Sequence, residues 1–395
     1  MKVLMINSVC GIRSTGRICT DIAETLEAQG HTCKIAYGRE SVPQKYEKYA
    51  VRIGADTGVK IHGALSRVFD TSGFHSRRAT KKFIEWVKTY DPDVIHLHNI
   101  HGYYLHIGQL FKYLKTCGKK ILWTLHDCWA FTGHCSHFDF VGCEKWKTGC
   151  YKCSQKKRYP ASLLCDRSKK NYKLKKKWFT GIDNLTIITP SQWLADIVKQ
   201  SFLGEYTVEV VRNGIDLNVF KPTESDFRIR YGLENKKILL GVASTWEERK
   251  GLADFLKLAE MVDENYAIVL VGLSEKQMQD LPKNVIGITR TNSTKELAEI
   301  YTTADVFLNL SYEETMGLVT VEAMACGTPA IVYDKTAVPE VVNETCGIIV
   351  KAGNVEEVCE KLRDIDFDSV ACQKKAQEYE KIKQYQKYFK ICRRG

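Results

Sequence analysis

Two glutamates separated by seven residues lie on either side of a glycine in 309-NLSYEETMGLVTVEAMACGTPAIV-332. The pattern predicts a strand, a polar loop and then a helix that begins near Gly317. The start of such a helix presents free amides and a positive dipole end, which favour a phosphate or another anion. The carboxylates of Glu314 and Glu322 could accept hydrogen bonds from vicinal sugar hydroxyls. A core helix with a capping glutamate is the alternative interpretation.

The Glu-x7-Glu spacing, followed by 322-EAMACGTP-329, closely resembles the signature of the retaining GT-B glycosyltransferases of family 4. The resemblance implies that Glu314 contacts the donor sugar and that Glu322 binds the ribose of the nucleotide. It also implies that three backbone amides hold the diphosphate and sugar, those of Met316, Gly317 and Leu318. The family usually has phenylalanine at the first of these positions, a mild departure because the amide does the binding.

A second segment, 239-LLGVASTWEERKGL-252, resembles the family's strand and loop that end in Lys-Gly. The resemblance implies that Lys250 neutralises the leaving diphosphate, with assistance from Arg249. Many members carry an arginine six residues earlier, where this chain has Ser244, so the usual pair of cations is incomplete. The candidates for the second cation are Arg249, Arg212 and Arg290. The loop that begins at Ile288 is expected to meet the nucleotide base through backbone groups.

In the first half, polar side chains follow two predicted strands at the ends that line the ligand crevice of open α/β sheets. They are His98, Asn99, His101, His126 and Asp127. The alternative interpretation is that each histidine is an ordinary residue held by hydrogen bonds. The segments 94-VIHLHNIHGYYLHI-107 and 122-LWTLHDCWAFTG-133, however, resemble a subgroup of family 4 enzymes of bacterial surface-polysaccharide synthesis. This resemblance implies that His126 lies beside the donor sugar.

A glycine-containing loop is expected between the first strand and its helix, in 8-SVCGIRSTGRICTDIAETL-26. Gly16 and Arg17 in this loop could approach a diphosphate closely. We expect these two residues to line the acceptor side of the cleft together with His98, Asn99 and Asp127.

Four of the fifteen cysteines form a group with the spacing Cys135-x7-Cys143-x6-Cys150-x2-Cys153. The last pair has a chelating spacing, and the other two could complete a tetrahedral site of four thiolates, so structural zinc is one interpretation. Reduced thiols in an irregular insertion are the alternative, and a redox switch is a third.

The basic segment, 156-KKRYPASLLCDRSKKNYKLKKKWF-179, contains ten Lys and Arg. The aromatic residues between them are Tyr159, Tyr172, Trp178 and Phe179. We expect this segment to meet an anionic membrane surface, with the aromatic rings at headgroup depth. A solvated charged face is the alternative. No RNA- or DNA-binding motif accompanies it, so nucleic acid is not an expected partner.

Eleven short apolar runs alternate with amphipathic segments, as expected of strands buried on both faces of parallel sheets. The runs are 2–6, 32–37, 93–98, 120–125, 185–189, 207–211, 237–243, 267–272, 284–288, 305–310 and 329–333. The alternation predicts doubly wound α/β domains. The resemblance implies the GT-B fold, in which two Rossmann-like doubly wound parallel-sheet domains face a central cleft.

Turn and breaker signals near residues 212–225 predict the domain boundary. We therefore expect an N-terminal acceptor-side domain at 1–215 and a C-terminal nucleotide-sugar donor domain at 216–374. The C-terminal helix, 375–395, is expected to pack back on the first domain.

The 395 residues are 44% hydrophobic and 27% charged, as in soluble globular proteins of two or three domains. Residues 1–180 hold 32 Lys and Arg against 14 Asp and Glu, a charge of +18, and the rest hold 26 against 33, a charge of −7. The basic half favours an anionic partner. The N-terminus fits a strand better than a secretory signal. We expect a cytoplasmic protein, peripheral on the inner face of the plasma membrane.

These patterns and the resemblance predict a retaining glycosyltransferase of the hexosyltransferase type. It would move a sugar from a UDP- or GDP-linked donor to a lipid-linked or oligosaccharide acceptor, in surface or capsular polysaccharide or cell-wall glycan synthesis. No cofactor is expected for catalysis, because a lysine and a helix N-terminus would stabilise the leaving diphosphate. The alternatives are a GT-B-shaped nucleotide-sugar epimerase or hydrolase and a non-catalytic polyanion-binding protein. The last explains the charge but not Glu314, Glu322 and Lys250 together.

Overall fold

Two α/β units make up the chain in the computed structural model, which describes residues 1–393. The first unit contains residues 1–212 together with the chain from Tyr385 onward, and the second contains Asn213–Gln384. Residues 394 and 395, the last two of the predicted C-terminal helix, lie outside the described residues.

A parallel sheet with the strand order β3-β2-β1-β4-β5-β6-β7 forms the first unit. Its strands are β1 (Lys2–Asn7), β2 (Thr32–Tyr37), β3 (Ala50–Arg52), β4 (Val94–Leu97), β5 (Lys120–Thr124), β6 (Leu185–Thr189) and β7 (Thr207–Val210). Its helices are α1 (Arg13–Glu27), α2 (Asp56–Phe69), α3 (Arg77–Tyr90), α4 (Ile107–Leu114), α5 (Ser168–Phe179) and α6 (Gln192–Lys199). Alternate residues of β1 enter two different core clusters, one with Leu4 and Ile6 and the other with Val3 and Met5. Both faces of the sheet are therefore buried, which explains the continuous apolar runs.

The second unit contains a parallel sheet with the order β10-β9-β8-β11-β12-β13. Its strands are β8 (Lys237–Val242), β9 (Tyr266–Val271), β10 (Val285–Ile288), β11 (Val306–Asn309), β12 (Ala330–Tyr333) and β13 (Gly347–Val350). Its helices are α7 (Phe227–Tyr231), α8 (Leu252–Met261), α9 (Thr294–Thr303), α10 (Leu318–Ala325), α11 (Val355–Lys361) and α12 (Ser369–Ala376). Leu239 and Leu240 enter opposite core clusters, so this sheet is also covered on both faces.

The eleven predicted strands are all present, and the structure adds β3 and β13, which the sequence reading missed. Both are edge strands. The three residues of β3 are only partly buried, and Ile349 in β13 is 47% exposed. An edge strand has one paired neighbour, so its sequence need not be a continuous apolar run.

The last helix, α13 (Lys381–Arg393), begins in the second unit and continues into the first. Tyr385 and Tyr388 are fully buried in the core cluster of Val3 and Met5. The hydroxyl of Tyr388 lies 3.2 Å from Oγ1 of Thr124, the last residue of β5.

The parallel order brings the chemically interesting loops together within each unit, because carboxyl ends of parallel strands share one edge of a sheet. In the first unit β1, β4 and β5 are neighbours, and in the second β8 and β11 are neighbours. Within residues 1–393, no helix has the length and apolar character needed to cross a bilayer.

Candidate functional site

Lys250 and Glu314 lie beside each other because β8 pairs with β11. They are 64 positions apart in sequence, and Nζ of Lys250 forms an ion pair with Oε1 of Glu314. The two side chains are only 14% and 19% exposed. Opposite charges attract more strongly in such a weakly hydrated place than on an open surface. The structure therefore joins two of the residues that the sequence predicted to act on the donor.

The charge of Lys250 depends on its surroundings. Burial lowers the pKa of Lys250, the Glu314 carboxylate raises it, and the Arg249 guanidinium lowers it again, with a net shift downward. Glu314 is thus the main group that keeps Lys250 protonated in a place that disfavours charge.

Gly251 allows the loop after β8 to approach the end of β11. Its φ of 74° lies in the left-handed region, and a Cβ there would overlap the carbonyl oxygen of Leu310. Glycine is the residue that tolerates both conditions. The Lys-Gly pair therefore has a structural explanation, since the glycine permits the close approach that places Lys250 beside Glu314.

Arg249 connects the two loops. Its Nε lies 3.0 Å from Oε2 of Glu247, and its Nη1 donates to the carbonyl of Glu313 at 3.0 Å. Its own carbonyl accepts the backbone N–H of Tyr312 at 2.8 Å. Arg249 is one of the candidates for the second cation, and its positive charge lowers the pKa of Lys250.

The other predicted donor-side positions of the second unit lie at the ends of β8 and β10. Ser244, which stands where the family has arginine, is exposed, and so is Arg290. The carbonyl of Ile288 accepts the backbone N–H groups of Gly272, at 2.7 Å, and Leu273, at 3.3 Å. These bonds fix the start of the loop that was predicted to meet the base.

Helix α10 begins at Leu318, after Gly317 with φ 79°. Gly317 has no side chain that could cap the first turn, and the first amides of a helix have no carbonyl one turn earlier to bond; the amide of Thr320 donates to the carbonyl of Gly317 at 3.0 Å. Nδ2 of Asn309 donates to Oγ1 of Thr320 at 2.9 Å and ties β11 to the helix. Met316 is buried, and its sulfur accepts a backbone N–H at 3.2 Å. The helix start is thus held by contacts that leave it suited to an anion.

Glu322 is half-buried in α10 and accepts a hydrogen bond from the hydroxyl of Tyr301 at 3.0 Å. Tyr301 is fully buried, and burial and the Glu322 charge both raise its pKa, so its hydroxyl remains a donor. Sequence reasoning did not find Tyr301. The contact depends on the packing of α9 against α10, which helical periodicity in each segment does not reveal.

In the first unit, His98 and His126 meet at the ends of neighbouring strands β4 and β5. Nδ1 of His98 lies 3.0 Å from Nε2 of His126, and the rings stack 5.3 Å apart. Burial lowers both pKa values, that of His126 to about 4, so both imidazoles are neutral at neutral pH. No polar atom of the described chain bonds Nε2 of His98, although this atom is buried.

Asp127 is held by His101, whose Nε2 lies 2.8 Å from its Oδ2. Its Oδ1 accepts the backbone N–H of Trp129 at 2.9 Å. Burial alone would raise the pKa of Asp127, but the charge and hydrogen bond of His101 outweigh it, and the pKa lies below its usual value. Nδ1 of His101 lies 3.1 Å from the hydroxyl of Tyr159, a residue that the sequence reading had assigned only to the basic segment.

One small cavity is lined by all five polar residues predicted at the strand ends of the first unit, namely His98, Asn99, His101, His126 and Asp127. Its volume is about 10 Å³, room for about one water molecule. This cavity alone is therefore too small for a sugar.

The expectation that Gly16 and Arg17 lie in a flexible loop is wrong, because α1 already begins at Arg13. The carbonyl of Gly16 accepts the backbone N–H of Gly11 at 3.1 Å, and Nε of Arg17 donates to the carbonyl of Arg13 at 3.3 Å. Asn99, by contrast, follows β4 as predicted.

The four grouped cysteines are free thiols and line a cavity of about 20 Å³ together with His134. A hydrogen bond from the thiol of Cys135 lowers the pKa of Cys153, and the backbone N–H of Gly133 donates to Sγ of Cys150 at 3.2 Å. In the part of the chain that the structure describes, however, no three His, Cys, Asp or Glu side chains are arranged as a metal site. Zinc binding by Cys135, Cys143, Cys150 and Cys153 stays a prediction.

Only part of the basic segment, residues 156–179, is exposed. Lys175 is buried, its Nζ donates to two backbone carbonyls at 2.7 and 3.1 Å, and burial lowers its pKa to about 7. Tyr172 and Phe179 are also buried. The expectation that these aromatic rings lie at headgroup depth is wrong, because α5 packs one face, with these three residues, into the unit's interior.

Two family descriptions match the chain. The sequence model of Glycosyltransferase Family 4 matches residues 15–219, more than half of the chain. That of Glycosyl transferases group 1 matches residues 224–386.

Similar proteins include WcaC of Escherichia coli K12, whose name assigns it to colanic acid biosynthesis as a glycosyl transferase. It is 28% identical over 229 residues, which are 55% of this chain and 55% of that protein. The processive diacylglycerol alpha-glucosyltransferase of Acholeplasma laidlawii is 30% identical over 166 residues, 39% of this chain and 49% of that protein. The chain spans about half the length of the curated relatives it matches.

Solved structures resemble the whole chain. Sucrose-phosphate synthase from Thermosynechococcus elongatus has a TM-score of 0.72 at 17% identity and covers 99% of this chain, with 98% of its own length matched. HepE of Anabaena, in complex with UDP-glucose, has a TM-score of 0.67 at 14% identity, with 99% of each chain covered. At these identities the likeness concerns the fold alone. It confirms the predicted GT-B fold with two parallel-sheet α/β domains.

Proposed function

The chain belongs to glycosyltransferase family 4, and we propose that it is a retaining glycosyltransferase that uses a nucleotide-diphosphate sugar. The observation that carries the proposal is the Lys250–Glu314 ion pair at the same strand edge as the start of α10. When a sugar leaves its nucleotide, negative charge develops on the diphosphate. Lys250 and the amides of Met316, Gly317 and Leu318 supply positive charge to that leaving group.

Each carboxylate has a separate task in this proposal. Glu322, oriented by the hydroxyl of Tyr301, accepts hydrogen bonds from the ribose hydroxyls. Glu314 contacts the donor sugar and also keeps Lys250 charged. Arg249 supplies the second cation, because this chain has Ser244 where many members of the family carry an arginine. The backbone after Ile288 contacts the nucleotide base.

His126 lies beside the donor sugar in the proposed complex. Because burial lowers the pKa of His126 to about 4, the side chain acts there as a neutral hydrogen-bonding group and not as a cation. His98 and Asp127, with Asn99, belong to the acceptor side, and Gly16 and Arg17 act from the first turns of α1. The leaving phosphate assists front-face attack by the acceptor, which accounts for retention of configuration.

The donor carries UDP or GDP. HepE, similar to this chain in fold, was solved with UDP-glucose, which makes that compound the first donor to test.

The acceptor is lipid-linked or an oligosaccharide, and the protein works at an anionic membrane surface on the cytoplasmic side, in polysaccharide synthesis. The names of two relatives, one for a diacylglycerol glucosyltransferase and one for colanic acid biosynthesis, support this choice. The exposed part of residues 156–179 provides the surface. Its exposed side chains include Leu163, Leu164, Lys169, Lys170, Lys173, Lys176 and Lys177.

A panel of UDP- and GDP-sugars tests the proposal. Thermal shift identifies the donors that bind, and chromatography of the nucleotides then identifies the products. We expect release of free nucleoside diphosphate from the donor that stabilises the protein most, with loss of release in Lys250→Met. Conversion of that donor into its epimer without release would instead indicate an epimerase. Failure of every UDP- and GDP-sugar to bind would contradict the proposal.

A further inference from the structure

The first unit contains a cavity of about 650 Å³ between α2 and α3, separate from the small cavity of His98 and His126. One part of its wall is apolar and includes Val59, Ile61 and Ala79. Another part is cationic and consists of Arg77, Arg78 and Lys82. Gly58 leaves space on the α2 side, since within residues 1–393 no atom beyond its chain neighbours and the nearby backbone of its own helix lies within 4 Å of a Cβ built there. The cavity is therefore large, and its wall is partly apolar and partly positively charged.

The three cations have no carboxylate partner in the described chain. Lys88, further along the same helix, pairs with Glu85 at 3.0 Å. Unpaired positive charges around a cavity favour an anionic ligand, and the planar guanidinium of arginine matches the oxygen pairs of a phosphate.

The start of α3 is kept open toward the same cavity. Ser76 stands at the position that normally caps a helix, but its hydroxyl lies 2.9 Å from Nδ1 of His62. His62 is 1% exposed, and its Nε2 accepts the backbone N–H of Gly73 at 3.1 Å, so Nδ1 carries the proton donated to Ser76. Within residues 1–393, no side chain caps α3. A buried histidine thus holds the natural cap away from the amides beside Arg77 and Arg78.

Exposed apolar side chains continue from the cavity along α2. Ile61, in the cavity wall, is 62% exposed, and Phe69 on roughly the same side of α2 is 45% exposed. Leu163 and Leu164 are 67% and 72% exposed. The backbone N–H of Leu163 donates to the carbonyl of Arg67 at 2.6 Å, which places both leucines beside the end of α2. Exposed apolar residues grouped in this way are typical of an interaction site.

We propose that this cavity binds the phosphate group of an amphiphilic acceptor, a lipid phosphate or diphosphate whose hydrocarbon chain lies along α2. Arg77, Arg78, Lys82 and the first amides of α3 contact the phosphate oxygens, and Ile61 contacts the start of the chain. The inference rests on the proposed function, because it specifies the chemistry of the acceptor.

Geranyl diphosphate is a soluble probe with both parts of such a ligand. Its binding to the full chain is measured by calorimetry with UDP or GDP, whichever the protein binds, present at saturation, so that the donor site is occupied. Inorganic pyrophosphate tests the anionic part alone, and geraniol tests the apolar part alone. We expect geranyl diphosphate to bind at least about tenfold more tightly than either.

The variant Arg77→Gln/Arg78→Gln should weaken geranyl diphosphate binding by about tenfold or more. The matched control is Lys60→Gln/Lys81→Gln, which removes two exposed charges from the same two helices outside the cavity wall. It should change binding by less than about twofold. Ile61→Ser should weaken geranyl diphosphate but leave pyrophosphate unchanged.

Equal losses in the arginine variant and the lysine control would overturn the proposal, because they would indicate general electrostatic attraction. Equal affinity for pyrophosphate and geranyl diphosphate would overturn the amphiphilic part and point to a free phosphate compound. Absence of geranyl diphosphate binding in a wild-type protein that binds UDP or GDP would also overturn it. Failure of the wild-type protein to bind either UDP or GDP would instead contradict the proposed function, so the two failures are distinguishable.

Discussion

Lys250 and Glu314 form an ion pair, and the backbone of each residue is also held by contacts that do not involve the pair. The backbone N–H of Glu314 donates to Oγ1 of Thr336 at 2.9 Å. Lys250 precedes Gly251, whose left-handed φ permits close approach to Leu310. The two charges are therefore positioned by the loops that carry them and not by the ion pair alone.

The first prediction concerns the pH dependence of turnover. Lys250 assists the leaving diphosphate only while protonated, so activity should fall as the pH rises through its pKa. Burial already lowers this pKa and Glu314 opposes the shift. Glu314→Gln should therefore lower the pKa further and move the alkaline limb of kcat to lower pH, in addition to reducing kcat. Glu275→Gln, an exposed glutamate, is the control. An unchanged alkaline limb in Glu314→Gln would show that the pair does not set the charge of Lys250.

The second prediction separates nucleotide binding from turnover. Glu322→Gln should weaken UDP or GDP binding by about tenfold, since a charged acceptor of hydroxyl hydrogen bonds is lost. Tyr301→Phe should weaken it by a smaller factor, about twofold to fivefold, because only the orientation of Glu322 is affected. Calorimetry measures both, with the exposed Glu344→Gln as control. Normal nucleotide affinity in Glu322→Gln would contradict the role assigned to this carboxylate.

Much of the second unit could be predicted from the sequence. Short apolar runs predicted the strands of its sheet, apart from β13, and the family resemblance selected Lys250, Glu314 and Glu322. It could not reveal Tyr301, because that contact is made between two helices whose packing is a tertiary property. Nor could it reveal the start of α1, since Arg13 opens the helix with a φ of 56° that its residue type does not indicate.

The basic segment shows a different limit of sequence reading. A lysine among many lysines predicts a solvated side chain, yet Lys175 lies 3.4 Å from the ring centre of Trp129 in the interior. The helical spacing of Tyr172, Lys175 and Phe179 places them on one face, and tertiary packing decided that this face is buried.

The third prediction tests the membrane surface with side chains that are exposed. Replacing Lys169, Lys170, Lys173 and Lys177 with glutamate should abolish sedimentation with vesicles that contain anionic lipid. Each cation near such a surface contributes about 1 kcal/mol, and added salt should release the wild-type protein.

A matched control for the vesicle experiment replaces four exposed lysines of the second unit, Lys276, Lys283, Lys295 and Lys383, with glutamate. This variant should still sediment. Lys175→Met should lower the thermal midpoint without changing sedimentation, because Lys175 is interior. Equal loss of sedimentation in both quadruple variants would assign the effect to net charge and not to residues 156–179.

The fourth prediction concerns the grouped cysteines. If they bind zinc, protein purified without added metal should contain about one equivalent per chain, measured by elemental analysis. Cys153→Ser should lose the metal and stability together, whereas Cys117→Ser, outside the group, should lose neither. Metal-free protein with four reactive thiols and unchanged stability would favour reduced thiols in an irregular insertion.

The anomeric configuration of the first product tests the proposed retaining transfer most directly, and proton NMR follows it with the α-linked donor that the protein consumes. With wild-type protein we expect an α-linked product, or α-configured free sugar when water is the acceptor. We also expect Lys250→Met to abolish product formation while the protein stays folded. A β-configured first product, or unchanged turnover in Lys250→Met, would show that the proposed function is wrong.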